Sequence, residues 1–165
     1  MKATFRYLKY IFWHKWYVFV ECYKLGVIWR GLTHDLSKLL PSEFNAYREY
    51  FYGHYSIDMM PKLIEDDFEF AWHWHLKRNK HHWQWWITKF DEGRLKVCEM
   101  PIEYRKEMIA DWIGAGKAIA KINNKVIAKD EVVKWYEGEK KNQQLAPDTR
   151  KWIDEQIERI RNEYV

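Results

Sequence analysis

Apolar side chains recur at steps of three and four residues along almost the whole chain, and strand-like alternation is nearly absent. That period belongs to helices with one buried face. Glycine (7) and proline (4) are sparse among 165 residues, so few positions interrupt it. The expected fold class is therefore all-α, a compact helical bundle formed as a single domain over residues 1–165. Aromatic residues at 18% and charged residues at 32% suit a folded chain and exclude disorder.

The punctuation marks out the helices. A first helix is expected from about Ala3 to Leu25, stopped by Gly26, and a short second one from Thr33 to Leu40. Pro41 restarts the chain into a third helix ending near Tyr52. Pro61 opens a fourth that runs through Glu69 and Trp72 towards Lys77. Asp91-Glu92-Gly93-Arg94 reads as a turn. Pro101 begins a helix reaching Ile122, where Asn123-Asn124 breaks it, and a shorter one spans Val126 to Tyr136 and ends at Gly138. The last starts near Pro147 and buries Ile153, Ile157, Ile160 and Tyr164.

Several polar side chains sit where this pattern calls for apolar ones. His14 lies within the stripe Tyr7, Tyr10, Ile11, Tyr17 and Val18. Asp111 lies within Tyr104, Met108, Ala115 and Ala118, and a buried, unpaired carboxylate is costly. A salt bridge or a metal ion would compensate it. Gly31-Leu32-Thr33-His34-Asp35-Leu36-Ser37-Lys38 brings an imidazole and a carboxylate to one point, the mixed donor set that holds divalent metals. Lys38 stands one helical turn beyond His34, able to meet an anion there. Residues 73–83 add His73, His75, His81 and His82 beside Lys77, Arg78 and Lys80, with Lys89 a little later. On a continuous helix His75 and His82 share a face and His81 points about 100° away; a break at Asn79 removes that geometry. The ordinary alternative for this stretch is a basic surface. His54 and His73 fall outside the candidate site.

Composition bounds the setting. Cys22 and Cys98 have no paired spacing, so neither a disulfide framework nor a cysteine zinc site is expected, and a reducing, cytoplasmic location fits. The apolar run Tyr10 to Val20 follows basic residues like a signal peptide, but His14 and Lys15 interrupt it and no small-residue cleavage site appears. It is too short and polar to span a bilayer, and no membrane partner is expected. A net charge of +4 permits an anionic ligand without requiring nucleic acid. The 11 tryptophans read first as core; Trp83, Trp85 and Trp86, near the histidines, could also stack on a base.

Taken together, His14, His34-Asp35 and Asp111 resemble the His…His-Asp…Asp signature of the HD-domain superfamily of metal-dependent phosphohydrolases. Leu32-Thr33-His34-Asp35-Leu36-Ser37-Lys38 is similar to that superfamily's apolar-x-His-Asp-apolar-Gly-Lys segment, and Ile109-Ala110-Asp111 to its last metal-binding segment. The combination with Lys77 to Trp83 and with Ala110-Asp111-Trp112-Ile113-Gly114-Ala115-Gly116 looks like a branch found in bacteria and phages. The interval from His14 to His34 is shorter than is usual there, and Ser37 stands where glycine is common. The resemblance implies an HD-domain-like fold in which His14, His34, Asp35 and Asp111 hold one divalent ion (Mn, Ni, Co, Fe, Zn or Mg), with His75, His81 and His82 as candidates for a second. It implies hydrolysis of a nucleotide or nucleotide-derived phosphate ester, with Asp35 orienting the nucleophile and Lys38, Lys77, Arg78 and Lys80 neutralising phosphate. The rival expectation is a non-catalytic module that binds or sequesters a nucleotide or a protein partner. Nucleic-acid binding through residues 77–89 ranks below both, and self-association into a homo-oligomer is compatible with either.

Overall fold

A computed structural model describes residues 2–128 and 130–163. Among the described residues seven α-helices follow one another: α1 (Lys2–Lys24), α2 (Ile28–Thr33), α3 (Pro41–Tyr52), α4 (Lys62–Arg78), α5 (Ile102–Ile122), α6 (Glu131–Glu139) and α7 (Pro147–Asn162). The fold is all-α, with one small antiparallel hairpin pairing β1 (Ile87–Lys89) with β2 (Leu95–Val97). No helix among the described residues is long and apolar enough to cross a membrane.

The pairing of α1 with α5 is the most extensive in the molecule. Gly114 makes it possible. A Cβ there would stand 2.9 Å from the Val18 backbone nitrogen, so only glycine lets the two backbones approach this closely. Gly31 does the same for α2 on α1, where a Cβ would meet the Cα of Phe19 and the Cβ of Cys22, each at 2.9 Å. Val18, Cys22 and Ala110 fill the seam between α1 and α5. On one side Tyr7, Ile11, Tyr47 and Ala71 join α1 to α3 and α4. On the other, Met108, Ile109, Val133, Tyr136, Ile153 and Ile157 join α5 to α6 and α7. Trp83 and Trp86 pack against this second core. Tyr164, expected on the buried stripe of the last helix, lies outside the described residues.

Three local features differ from the expectations, and the break at Asn79 is present. No helix spans Thr33 to Leu40: α2 ends at Thr33, His34 and Asp35 form the turn, and Leu36–Leu39 is a 3₁₀ turn. The break begins at His34, whose ψ of 128° is extended, and continues at Asp35, whose φ of +51° and ψ of 28° are left-handed. Helix α4 stops at Arg78, because the Asn79 side chain caps it by donating to the His75 carbonyl at 2.9 Å. His81 and His82 therefore lie in the following turn, and the continuous-helix geometry for the histidines does not hold. The β1–β2 hairpin was hidden because each strand is only three residues long, too short to show a period. Helix α6 starts at Glu131 rather than Val126.

Candidate metal centre

Three separate segments deliver side chains to one buried point. His14 comes from the middle of α1, one turn before Val18, and Asp111 from α5, one turn before Gly114. The close approach at Gly114 brings His14 Nε2 to 3.2 Å from Asp111 Oδ1. His34 and Asp35 come from the turn after α2. His34 Nε2 faces His14 Nε2 at 3.1 Å and Asp111 Oδ1 at 3.4 Å. Asp35 Oδ2 lies 3.5 Å from His14 and 3.4 Å from His34. An ion with bonds of about 2.0–2.2 Å separates neighbouring ligand atoms by about 2.8–3.6 Å. The spacings within this quartet match that, so these residues fit a divalent cation.

The second oxygen of Asp35 serves another cluster. Oδ1 lies 3.4 Å from His75 Nε2 and 3.5 Å from His81 Nε2, and His82 completes a group that could hold a metal. Asp111 Oδ2 also approaches His81 Nε2, at 3.7 Å. Asp35 Oδ1 and the Nε2 atoms of His75, His81 and His82 are buried without a hydrogen-bond partner. Orphaned polar atoms are rare in protein interiors, and these four converge as a donor set that could hold a cation. The strained backbone of Asp35 has a use here, because it aims one carboxylate between two sets of imidazoles.

Two carboxylates behind the histidines fix which nitrogen faces inward. Glu107 accepts from the Nδ1 atoms of both His34 (3.1 Å) and His81 (3.2 Å). Glu43 accepts from His75 Nδ1 at 2.9 Å, and Ser37 and Arg78 donate to the same carboxylate. A carboxylate on Nδ1 leaves Nε2 as the ligand atom and raises its basicity. His34, His81 and Glu107 could themselves hold an ion, but hydrogen-bond distances at both Nδ1 atoms favour the supporting role. Neither glutamate was anticipated from the sequence. Glu107 was detectable, because it sits one turn before Asp111 on the same face; Glu43 had no such signal.

The titratable groups of the centre compensate one another: burial opposes protonation of His34, but Asp35, Asp111 and Glu107 outweigh it and hold its pKa well above the usual range. Burial opposes ionisation of Asp35, but His34 and Lys38 outweigh it and hold the carboxyl well below its usual range. Asp111 is lowered in the same way, with hydrogen bonds from His14 and His34 overcoming burial. Burial, reinforced by His81 and His75, keeps His82 neutral. Burial also lowers His75. Lys38 is buried, with Nζ 2.6 Å from Asp35 Oδ2, so its ammonium stands at the edge of the centre.

The other expected phosphate ligands are placed differently. Arg78 is turned onto Glu43 at 2.6 Å, behind His75, and its guanidinium is already paired. Lys77 and Lys80 are exposed, Lys80 standing over the Trp85 ring. His54 and His73 are exposed and take no part in the centre.

Residues 3–159 match a family of unknown function, DUF5662. The chain belongs to that family. No curated protein and no solved structure matches it. In this DUF5662 chain two cavities flank the centre. One, of about 440 Å³, is lined by Asp111 and His82 together with Trp83, Trp112 and Trp135. The other, of about 390 Å³, is lined by Lys38 together with Tyr10, Tyr47, Tyr52 and Phe68. Trp72 and Ile119 line both.

Proposed function

We propose that this DUF5662 chain is a metal-dependent phosphohydrolase with an HD-domain-like centre, acting on a nucleotide or nucleotide-derived phosphate ester. The carrying observation is the carboxylate of Asp35, whose two oxygens face two separate imidazole clusters. His14, His34, Asp35 and Asp111 would hold one divalent cation, and Asp35, His75, His81 and His82 a second. When bound, such cations acidify a water and polarise a phosphoryl oxygen.

The chain's own residues prepare the site for that chemistry. Glu107 and Glu43 hold His34, His81 and His75 with Nδ1 on a carboxylate and Nε2 turned inward. Asp35 stays ionised and orients the nucleophile. Lys38, held at the edge of the centre by Asp35, neutralises charge that grows on the phosphoryl oxygens. The aromatic walls of the two cavities offer stacking faces to a base.

The test is phosphate release from a panel of nucleotides by protein reconstituted with manganese, nickel, cobalt, iron, zinc or magnesium. The expected result is turnover that chelation abolishes and that Asp35→Ala lacks. Metal uptake with no turnover of any phosphate ester would refute hydrolysis and support the non-catalytic nucleotide-binding module.

A further inference from the structure

Among the described residues, half of the large apolar side chains that stay exposed fall between Phe5 and Leu40. They are not scattered. On α1, Phe5, Leu8, Phe12, Trp16, the half-buried Phe19 and Tyr23 recur at steps of three and four, so they form one stripe. It lies about 120° around the helix from Ile11, His14, Val18 and Cys22, which face the interior. Helix α2 crosses α1 at Phe19, where Gly31 packs against the Phe19 Cα, and adds exposed Ile28, Trp29 and Leu32. The turn after α2 adds Leu36, Leu39 and Leu40, and Lys15 ties that turn to α1 by donating to the His34 carbonyl. One apolar face thus extends over three consecutive elements, and faces of that kind mark interaction sites.

The charge around this face has one sign. Residues 1–42 contain seven Lys and Arg and two acids, Glu21 and Asp35. Both acids are buried. Lys2, Arg6 and Lys9 are exposed and follow one edge of the stripe, and Lys24 continues the same edge. There a cavity of about 380 Å³ opens between α1 and α5, lined by Trp16 of the stripe with Lys24, Lys117, Lys121 and Lys125. Glu21 is the one acid in its wall, and it is taken by Lys24 at 2.9 Å and Lys117 at 2.6 Å. Lys121 and Lys125 are left with no acid in the cavity to neutralise them.

We propose that this face docks on the surface of an anionic phospholipid bilayer. Helix α1 lies flat, its apolar stripe enters the boundary between headgroups and acyl chains, and the lysines along its edge meet lipid phosphates. Trp16, Tyr23 and Trp29 carry the amphipathic rings that settle at headgroup depth. The expectation of no membrane partner rested on span length, and a helix that lies flat needs only a stripe. A second copy of the chain is a poorer occupant. Its copy of this face is equally basic, and the exposed stripe of α4 that carries Asp66 and Asp67 offers three large apolar side chains, Leu63, Phe70 and Trp74. Docking needs neither metal nor turnover, because His14 faces the centre from the opposite side of α1.

The test mixes the whole chain with vesicles of phosphatidylcholine, or of phosphatidylcholine and phosphatidylglycerol in equal parts, and reads the bound fraction after centrifugation. Partition onto the anionic vesicles is expected to be roughly tenfold stronger or more, and to fall as salt is raised. Trp29→Ala should weaken it by roughly tenfold and Trp29→Phe restore most of it. Lys121→Glu combined with Lys125→Glu should also weaken it by roughly tenfold or more. All three side chains are exposed, so the variants should melt as the wild type does, which separates lost docking from lost fold. Equal binding to both vesicles, or anionic binding that Trp29→Ala or the paired lysine variant leaves unchanged, would overturn the proposal. So would an absence of vesicle binding; a dimer in light scattering that Trp29→Ala dissociates would then assign the face to a second copy.

Discussion

Asp35 concentrates the chemistry of this chain in one residue. It has the left-handed backbone, the buried carboxylate, the pair with Lys38 and both faces towards histidine. The residues around it have separable duties, and each duty predicts a distinct loss. Glu107→Gln keeps the shape but weakens the hold on His34 and His81. Metal affinity should fall by roughly 10–100-fold, read by competition with a chelating dye. Lys38→Ala should leave metal content intact, because Lys38 is no ligand. Turnover of a phosphate ester should fall by about 10²–10³-fold, the cost of removing one charge-stabilising donor. If Lys38→Ala loses the metal as well, Lys38 serves to hold Asp35 in place and its duty is not separable from metal binding.

At the scale of elements, the approach of α1 to α5 controls the centre. Gly114→Ala forces the helices apart at Val18, with a cost of about 1–3 kcal/mol. Because His14 and Asp111 each lie one turn from that contact, the variant should lose thermal stability and metal affinity together, read by melting curves with and without chelator. Glu21 seals the outer side of the same pair. Burial raises its pKa, but Lys117 and Lys24 donate to it and outweigh that, so the carboxyl titrates below its usual range. A lowered carboxyl contributes stability that is present above the unfolded pKa and is lost as pH falls through the folded one. Glu21→Gln should therefore be less stable at neutral pH and show a shallower loss of stability in acid. Cys22 lies inside the seam, where burial pushes its thiol up to about 12. Thiol reagents should reach it only on unfolding. Fast labelling of Cys22 in the native protein would show that α1 and α5 part readily.

At the scale of the molecule, what the sequence could reveal follows from how far each signal extends. The long helices were legible because burial on one face repeats over many turns, and His14 and Asp111 stood out as the residues that break such a stripe. His34-Asp35 was found as a pair, but its helix was misplaced by one element. Nothing local announces a left-handed aspartate: tertiary contacts hold it there. The histidines of residues 73–83 were legible as a group, and their convergence depended on Asn79, whose capping bond turns the chain after α4. Arg78 was read as a phosphate ligand because its partner Glu43 is 35 residues away, a distance across which sequence gives no pairing. The two cavities flanking the centre belong to the same class, since they exist only once the helices are packed.

If one carboxylate joins two cation sites, the chain must bind two ions that depend on it, and metal stoichiometry reads this. The chain should be purified without a histidine tag, loaded with manganese, cleared of free metal, and analysed by mass spectrometry beside Asp35→Ala and His82→Ala. About two ions per wild-type chain are expected, close to one in His82→Ala and almost none in Asp35→Ala. No bound metal in the wild type, or full occupancy retained in Asp35→Ala, would contradict the shared carboxylate.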